Sequence, residues 1–183
     1  MNDNRTKIIE LLRSTNRAGI ENVITWFDTE PSFFTASAAH VHHDNVLGGL
    51  AQHSLNVFRH AKEDWETRDD AFKKKYPFES VIISALLHDV CKKDVYYIDA
   101  EGLPQWNEEN HRKGHGLRSV KILEDLGLEL RRDEIMAIWW HMGFYEVSRE
   151  QYPDMYARAQ SLPLCVVIQQ ADSRAAAAAM KQE

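Results

Sequence analysis

The strongest chemical signal in the sequence is an adjacent histidine and aspartate, His88-Asp89, at the end of the apolar run 81–87. Apolar residues in this run recur at helical spacing, which predicts a largely buried helix. Burying an imidazole and a carboxylate together is costly unless a partner compensates them. A metal ion is a suitable partner, because neutral histidine nitrogen and ionised aspartate oxygen are both metal ligands. The pair therefore predicts a metal site if the rest of the chain supplies further ligands.

Four further polar residues stand on or beside the apolar faces of predicted helices. They are His53, His115, His141 and Asp172. Each of them alone has a structural explanation, since a single histidine beside an apolar face is more often a core or boundary residue than a ligand. Successive positions are separated by about one helix and one connection, so all of them can meet in the centre of a helical bundle. Because several buried charges need partners, we interpret the set as a metal centre.

The elements that position these residues are predicted from hydrophobic periodicity and turn residues. About seven helices are expected, at residues 6–17, 21–28, 50–67, 81–89, 115–127, 133–141 and 163–179. Alternating β-forming residues at 95–99, a turn at Gly102 and residues 103–106 predict a small β-hairpin. Ser161 is expected to cap the last helix, and residues 145–159 are expected to form a polar segment without a helix. The predicted fold class is therefore all-α, a helical bundle with one small β-hairpin.

Length and composition describe an ordinary globular chain. The 183 residues are expected to form a single domain, residues 1–183, with a metal-binding core at about 48–176. The net charge of −6 argues against binding of duplex nucleic acid. No apolar run reaches the roughly 18 residues of a membrane span and no signal peptide is visible, so we expect a cytoplasmic protein that does not bind membranes. Cys91 and Cys165 form no zinc-ligand motif and are expected to remain thiols.

The ordered series of histidines and aspartates, with its flanking residues, resembles the HD-domain superfamily of metal-dependent phosphohydrolases. The resemblance covers about residues 48–175, and the flanking residues that carry it are Gly48-Gly49-Leu50, Leu86-Leu87, Lys92 and Ala171. His43-Asp44 repeats the dipeptide without an apolar helix before it, and is interpreted as a decoy. His42-His43 ahead of the two glycines is similar, over a short stretch, to HD domains of bacterial 3′-to-5′ exoribonucleases.

The resemblance implies an HD-domain-like helical bundle with a dinuclear metal centre. It implies that the first metal ion is held by His53, His88, Asp89 and Asp172. It implies that the second ion is held by His115 and His141, with Asp89 shared between the two. A carboxylate suits the shared position because it offers two oxygens. Nitrogen and oxygen ligands without a thiolate fit two divalent ions of Fe, Mn, Zn or Co.

The same resemblance implies hydrolysis of a phosphate ester. In this hypothesis a hydroxide that bridges the metals attacks phosphorus, with Asp89 as the shared catalytic ligand and Lys92 neutralising charge on the phosphate oxygens. The alternative interpretation of Lys92 is an exposed lysine at a helix end. The candidates for substrate contact are Lys92, Lys93, His43 and Arg118. The expected partner is a small phosphorylated substrate, either a nucleotide or another phosphate ester.

The order of the ligands leaves other functions open. A dinuclear-iron oxygenase of the inositol-oxygenase-like type resembles the same six-ligand pattern. A nuclease acting on short single strands would use the same chemistry as the phosphohydrolase. A non-catalytic nucleotide-binding regulator would have no need of six metal ligands. Strict dependence on iron and oxygen would distinguish the oxygenase from the hydrolase.

Overall fold

The computed structural model describes residues 2–29, 32–40, 44–109 and 114–180. In these residues it contains nine α-helices and one two-stranded sheet, which confirms the predicted all-α fold class. The helices are α1 (Asn2–Ser14), α2 (Ile20–Phe27), α3 (Gly49–Thr67), α4 (Asp70–Lys75), α5 (Phe78–Leu87), α6 (His115–Asp125), α7 (Arg132–Trp139), α8 (Pro153–Gln160) and α9 (Pro163–Ala179). The strands are β1 (Tyr96–Ile98) and β2 (Pro104–Trp106), and short 3₁₀ helices lie at Val90–Asp94, Gly143–Tyr145 and Val147–Arg149. No helix within the described ranges is long and apolar enough to cross a membrane.

Helix α5 forms the centre of the bundle because it is apolar on every side. Its residues 80–87 are all buried, among them Ile83 and Leu86. A helix that is hydrophobic all round must be enclosed by other elements, and α5 contacts α1, α3, α7 and α9. Helix α3 packs against both α5 and α9. The three helices therefore form a continuous core, and the His-Asp pair follows directly at the end of its central helix.

Helices α3 and α9 each bury one face in the core. The buried residues on these faces are Leu50, Ser54, Val57, Phe58 and Ala61 of α3, and Leu164, Val167, Ile168, Ala171 and Ala175 of α9. His53 lies within the buried face of α3, and Asp172 lies beside that of α9. Because the two helices pack against each other, these two polar residues are brought to the same side of the core.

The predicted β-hairpin is present directly after the His-Asp pair and its 3₁₀ turn. Tyr96 pairs with Trp106 in an antiparallel register, and their rings lie 4.8 Å apart. Asp99 holds the turn, because its carboxylate accepts a hydrogen bond from the backbone N–H of Leu103 at 2.8 Å. Gly102 takes the left-handed conformation that the turn requires, with φ 83.

Two expectations about the C-terminal part of the chain are wrong. Helix α8 occupies a segment that the sequence predicts to be polar and without a helix. Its apolar periodicity is weak, since Ala159 alone of its residues is buried, and Pro153 pre-sets the backbone of its first turn. Ser161 ends α8 rather than capping α9, because its hydroxyl donates to the carbonyl of Arg158. Leu162 occupies the N-cap position of α9.

Helix α1 begins and ends earlier than the predicted range of 6–17. Its C-terminal end is set by Ser14 and Thr15, whose hydroxyls donate to backbone carbonyls three residues earlier, at 2.7 and 2.6 Å. Such local bonds compete with continuation of the helix. Asn16 then takes a left-handed conformation with φ 50, which no helix interior accommodates.

A buried ion pair joins the start of α7 to the turn between α1 and α2. Glu134 accepts two hydrogen bonds from the guanidinium of Arg17, at 2.7 and 2.9 Å. It also accepts from the Ser80 hydroxyl at 2.6 Å and from the Arg131 backbone N–H at 2.8 Å. Glu134 is fully buried and the side chain of Arg17 is 9% exposed. The carboxylate therefore connects α7, α5 and the α1–α2 turn at one point.

Candidate metal centre

The centre is built where helix α5 stops. His88 keeps helical backbone angles as the residue after α5. Asp89 then takes φ −115 and ψ 20, outside the helical region, and the chain continues as the 3₁₀ helix Val90–Asp94. Both residues are buried, with exposures of 0% and 1%. The break in the helix thus places an imidazole and a carboxylate side by side inside the bundle.

Two of the histidines are held by backbone carbonyls at the ends of their helices. His88 Nδ1 lies 2.9 Å from the carbonyl of Ala85, and His141 Nδ1 lies 2.7 Å from that of Ile138. A carbonyl oxygen only accepts hydrogen bonds, so the proton is on Nδ1 in both rings. The lone pair is then on Nε2, which is the nitrogen turned toward the cluster. This is the tautomer that a metal-binding histidine uses when its other nitrogen is anchored.

The two carboxylate oxygens of Asp89 face two different sets of nitrogens. Oδ2 lies 3.3 Å from His88 Nε2 and 4.0 Å from His53 Nε2. Oδ1 lies 3.4 Å from His141 Nε2 and 3.7 Å from His115 Nε2. One carboxylate therefore stands between two pairs of imidazoles, as a ligand shared by two ions would.

Asp172 completes the side of the cluster that contains His53. Its Oδ1 lies 3.0 Å from His53 Nε2 and 3.9 Å from His88 Nε2. Burial opposes ionisation of Asp172, but its hydrogen bond to His53 outweighs that cost and lowers the pKa of the carboxyl. Helices α3 and α9 therefore meet the end of α5 on this side of the cluster. All six residues predicted as ligands are thus brought together, and their role as metal ligands stays a prediction.

The cluster fits a metal ion because several of its nitrogen and oxygen atoms are buried without a hydrogen-bond partner in the described part of the chain. Within the described residues, Nε2 of His88, His115 and His141 and Oδ1 of Asp89 are buried without a hydrogen-bond partner. Such atoms are costly unless compensated. Three overlapping groups have ligand atoms within 4.8 Å of one another: His53, His88 and Asp89; His88, His141 and Asp172; and Asp89, His115 and His141. Imidazole nitrogen and carboxylate oxygen in this arrangement suit a first-row divalent ion.

Lys92 lies against the cluster, where its ammonium is 2.8 Å from Asp89 Oδ2. Burial would raise the pKa of Asp89, but the charge of Lys92, together with the contacts to His88 and His141, outweighs it and holds that pKa well below its usual value. Burial would likewise lower the pKa of Lys92, but Asp89 outweighs it and raises that pKa. Both groups therefore remain ionised, and the Lys92 side chain keeps 15% exposure. This position agrees with the prediction of a cation beside the centre rather than a solvated helix end.

The other predicted substrate contacts are placed differently. Lys93 donates to the hydroxyl of Thr29 at 2.6 Å, and its ammonium lies 4.2 Å from the centre of the Trp26 ring. Consecutive residues of a 3₁₀ helix point about 120° apart, so Lys93 is directed away from the side that Lys92 occupies. Arg118 lies 3.8 Å from Asp94. The structure brings neither Lys93 nor Arg118 into the cluster, and His43 lies outside the described residues.

One residue that the sequence argument set aside contacts the centre. Asp44, interpreted as part of a decoy dipeptide, has its Oδ2 3.6 Å from His53 Nδ1. Asp44 has φ 52, a conformation that few residues other than glycine, asparagine and aspartate adopt. An aspartate shortly before Gly48-Gly49 is the only sequence signal that could have indicated this contact.

Comparison with known proteins supports the same assignment. The family model for the HD domain matches residues 50–177, a segment that includes all six residues of the cluster and more than two thirds of the chain. Searches of curated proteins and of solved structures gave no significant match.

Proposed function

The chain belongs to the HD-domain family, and on that premise we propose that it is a metal-dependent phosphohydrolase acting on a nucleotide or another small phosphate ester. Members of this family are in general metal-dependent phosphohydrolases, so hydrolase-type activity follows from membership. The observation that carries the finer proposal is the position of Asp89, whose two oxygens face separate histidine pairs beside the partly exposed Lys92. The net charge of −6 favours a small substrate over a long nucleic acid.

Each residue of the centre has a defined part in this proposal. One ion would be held by His53, His88, Asp89 and Asp172, and the second by His115, His141 and Asp89. Two divalent ions would supply an activated water as the nucleophile and positive charge for the phosphate oxygens. Of the six ligands, the side chain of His115 is the most exposed, at 27%, whereas those of His88 and His141 are fully buried. The face of the centre beside His115 is therefore where a phosphate would approach.

Replacing Lys92 with alanine should lower kcat/KM for phosphate-ester hydrolysis by about 10²-fold, the usual cost of losing one charge-stabilising donor. The ammonium lies 2.8 Å from Asp89 and keeps access to solvent, so it can bind and orient a phosphate oxygen. The measurement is steady-state release of inorganic phosphate, with metal content measured on the same samples.

The adjacent Lys93→Met variant is the matched control for that experiment. Its ammonium contacts Thr29 and the Trp26 ring, so kcat/KM should stay near the wild-type value while thermal stability falls. Undiminished kcat/KM in Lys92→Ala, or an equal loss in both variants, would contradict the role given to Lys92.

Oxygen dependence separates the hydrolase from the oxygenase that shares the ligand order. We expect phosphate release to proceed anaerobically, and to persist when Mn²⁺ or Co²⁺ is the only divalent ion supplied. Oxygen consumption that depends on iron, without phosphate release from a panel of nucleotides and small phosphate esters, would contradict the proposal.

Stability without metal should depend on pH through His53. Burial opposes its protonation, but the nearby carboxylates of Asp172 and Asp44 outweigh it and raise the pKa of His53 from 6.5 to about 9. A folded-state pKa above the unfolded value stabilises the protein below pH 6.5, and that stabilisation is lost as pH rises through about 9. Chelator-treated protein should therefore lose on the order of 3 kcal/mol of stability between these limits, measured as Tm against pH.

Metal affinity should increase with pH, whereas the stability of the metal-free protein decreases, because His53 must lose its proton before it can bind a metal ion. Affinity for Zn²⁺ should rise by up to about tenfold per pH unit over the same interval.

The control for the stability prediction is His53→Gln, which should flatten the profile of Tm against pH in chelator-treated protein. A wild-type profile that is already flat between pH 6.5 and 9 would contradict the assignment of that proton to His53.

A further inference from the structure

We propose that Asp44 is a positioning residue that orients the imidazole of His53 for metal binding. The inference rests on the proposed role of His53 as a metal ligand, but not on the identity of the substrate. Asp44 lies five residues before Gly49, the first residue of α3, and outside the segment matched by the HD-domain model, which begins at residue 50.

The two nitrogens of His53 face two different carboxylates. Nε2 lies 3.0 Å from Asp172 Oδ1, inside the cluster. On the opposite side of the ring, Nδ1 lies 3.6 Å from Asp44 Oδ2. That Oδ2 atom is buried and has no hydrogen-bond partner within the described residues, while the side chain as a whole is 12% exposed. A separation of 3.6 Å is within the range of an ion pair and just beyond that of a hydrogen bond.

The position of His53 in its helix differs from the positions of His88 and His141. His88 and His141 follow the ends of α5 and α7, where the last carbonyls have no partner within the helix and are free to accept from Nδ1. His53 lies in the second turn of α3, whose carbonyls are already engaged by the N–H groups four residues later. A carboxylate from the preceding loop therefore takes the place of the backbone carbonyl.

The backbone around Asp44 is built to hold this carboxylate in place. Asp44 has φ 52, and its carbonyl accepts a hydrogen bond from the N–H of Ala38 at 3.2 Å. A Cβ atom on Gly49 would lie 1.8 Å from the Asp44 carbonyl oxygen, so only glycine permits this approach. Gly48 also takes a left-handed conformation, with φ 79. The two glycines before His53 thus let the loop pack directly on the first turn of α3.

A carboxylate at Nδ1 has two consequences for a ligand at Nε2. It favours the tautomer with the proton on Nδ1, which leaves the lone pair on Nε2. It also increases the basicity of the ring, and loss of such a partner costs about 10–100-fold in metal affinity. Asp44 would supply for His53 what Ala85 and Ile138 supply for His88 and His141.

The test compares Zn²⁺ binding by Asp44→Asn and Asp44→Gly with the wild type. Asparagine tolerates the left-handed backbone and keeps an oxygen that accepts from Nδ1, whereas glycine keeps the backbone and removes the acceptor. We expect the dissociation constant at the tighter site to rise about 10–100-fold in Asp44→Gly and by less in Asp44→Asn. Nitrogen-15 NMR of the Zn²⁺-loaded protein should show His53 with a protonated Nδ1 in the wild type and a broadened or altered signal in Asp44→Gly.

Asn16→Gly is the matched control, because Asn16 is the other non-glycine residue with positive φ in the described chain, at 50. It should change Tm without changing Zn²⁺ affinity. Equal Zn²⁺ affinity and an unchanged His53 signal in Asp44→Gly would overturn the proposal, whatever happens to Tm. A wild-type protein that binds no Zn²⁺ would overturn it as well. Zn²⁺ binding that depends on Asp44 in a protein without phosphate-ester hydrolysis would sustain this inference and contradict the proposed function alone.

Discussion

Replacing Asp89 with asparagine should release both metal ions and lower kcat/KM by at least about 10³-fold, since loss of the metal-supplied nucleophile and charge removes several kcal/mol of transition-state stabilisation. The two oxygens of Asp89 lie within 4.0 Å of all four histidine Nε2 atoms. An amide of the same shape offers one neutral oxygen and one NH₂ group, so it cannot serve as an anionic ligand on both sides. The measurements are the number of metal ions per chain after desalting and the rate at which inorganic phosphate is released.

His141→Ala gives the discriminating comparison for that experiment. His141 Nε2 lies 3.4 Å from Asp89 Oδ1, whereas His53 Nε2 faces Asp89 Oδ2, so the loss of His141 should release the second ion and spare the first. Asp125→Asn, an exposed aspartate on α6 paired with Lys121, should retain both ions. Retention of one tightly bound ion by Asp89→Asn, or equal loss of both ions from His141→Ala, would contradict a shared carboxylate.

The largest effect on stability is expected from Glu134→Gln, which should cost about 3–5 kcal/mol because it leaves the buried guanidinium of Arg17 without its counter-ion. The carboxylate accepts four hydrogen bonds in all, two of them from Arg17 and one each from Ser80 and the Arg131 backbone. For a chain of this size the expected fall in Tm is roughly 6–20 °C. Thermal and urea unfolding followed by circular dichroism would measure it.

Glu21→Gln is the matched control, because it removes the same kind of ion pair from an exposed position. Glu21 receives an equally bidentate pair of bonds from Arg13, at 2.8 and 2.9 Å, but the two side chains are 60% and 56% exposed. Exposed pairs contribute about 1 kcal/mol or less. If Glu21→Gln and Glu134→Gln lowered the free energy of unfolding equally, burial would not be the reason why the Arg17–Glu134 pair stabilises the protein.

Much of the centre could be predicted because local patterns place its residues. The apolar run before His88-Asp89 predicts α5 without reference to any other element, and helical periodicity places His53 on the inner face of α3. The hairpin likewise follows from alternation and a glycine turn. These features depend on neighbours within about two helical turns, which the sequence displays directly.

The remaining features depend on contacts between distant parts of the chain. Arg17 and Glu134 are 117 positions apart, and their charges alone do not indicate that they pair. Lys92 and Lys93 are adjacent and chemically identical. Because they lie in a 3₁₀ turn, Lys92 contacts Asp89 and Lys93 contacts the Trp26 ring. Asp44 looks like a chance repeat until the fold of the loop onto α3 brings it to His53.

Metal content per chain, measured by plasma mass spectrometry on untagged protein purified without chelators, tests the central claim most directly. The arrangement of four imidazoles around one shared carboxylate predicts about two equivalents of Fe, Mn, Zn or Co per chain. Absence of bound metal, both as purified and after incubation with each of these ions followed by desalting, would contradict it.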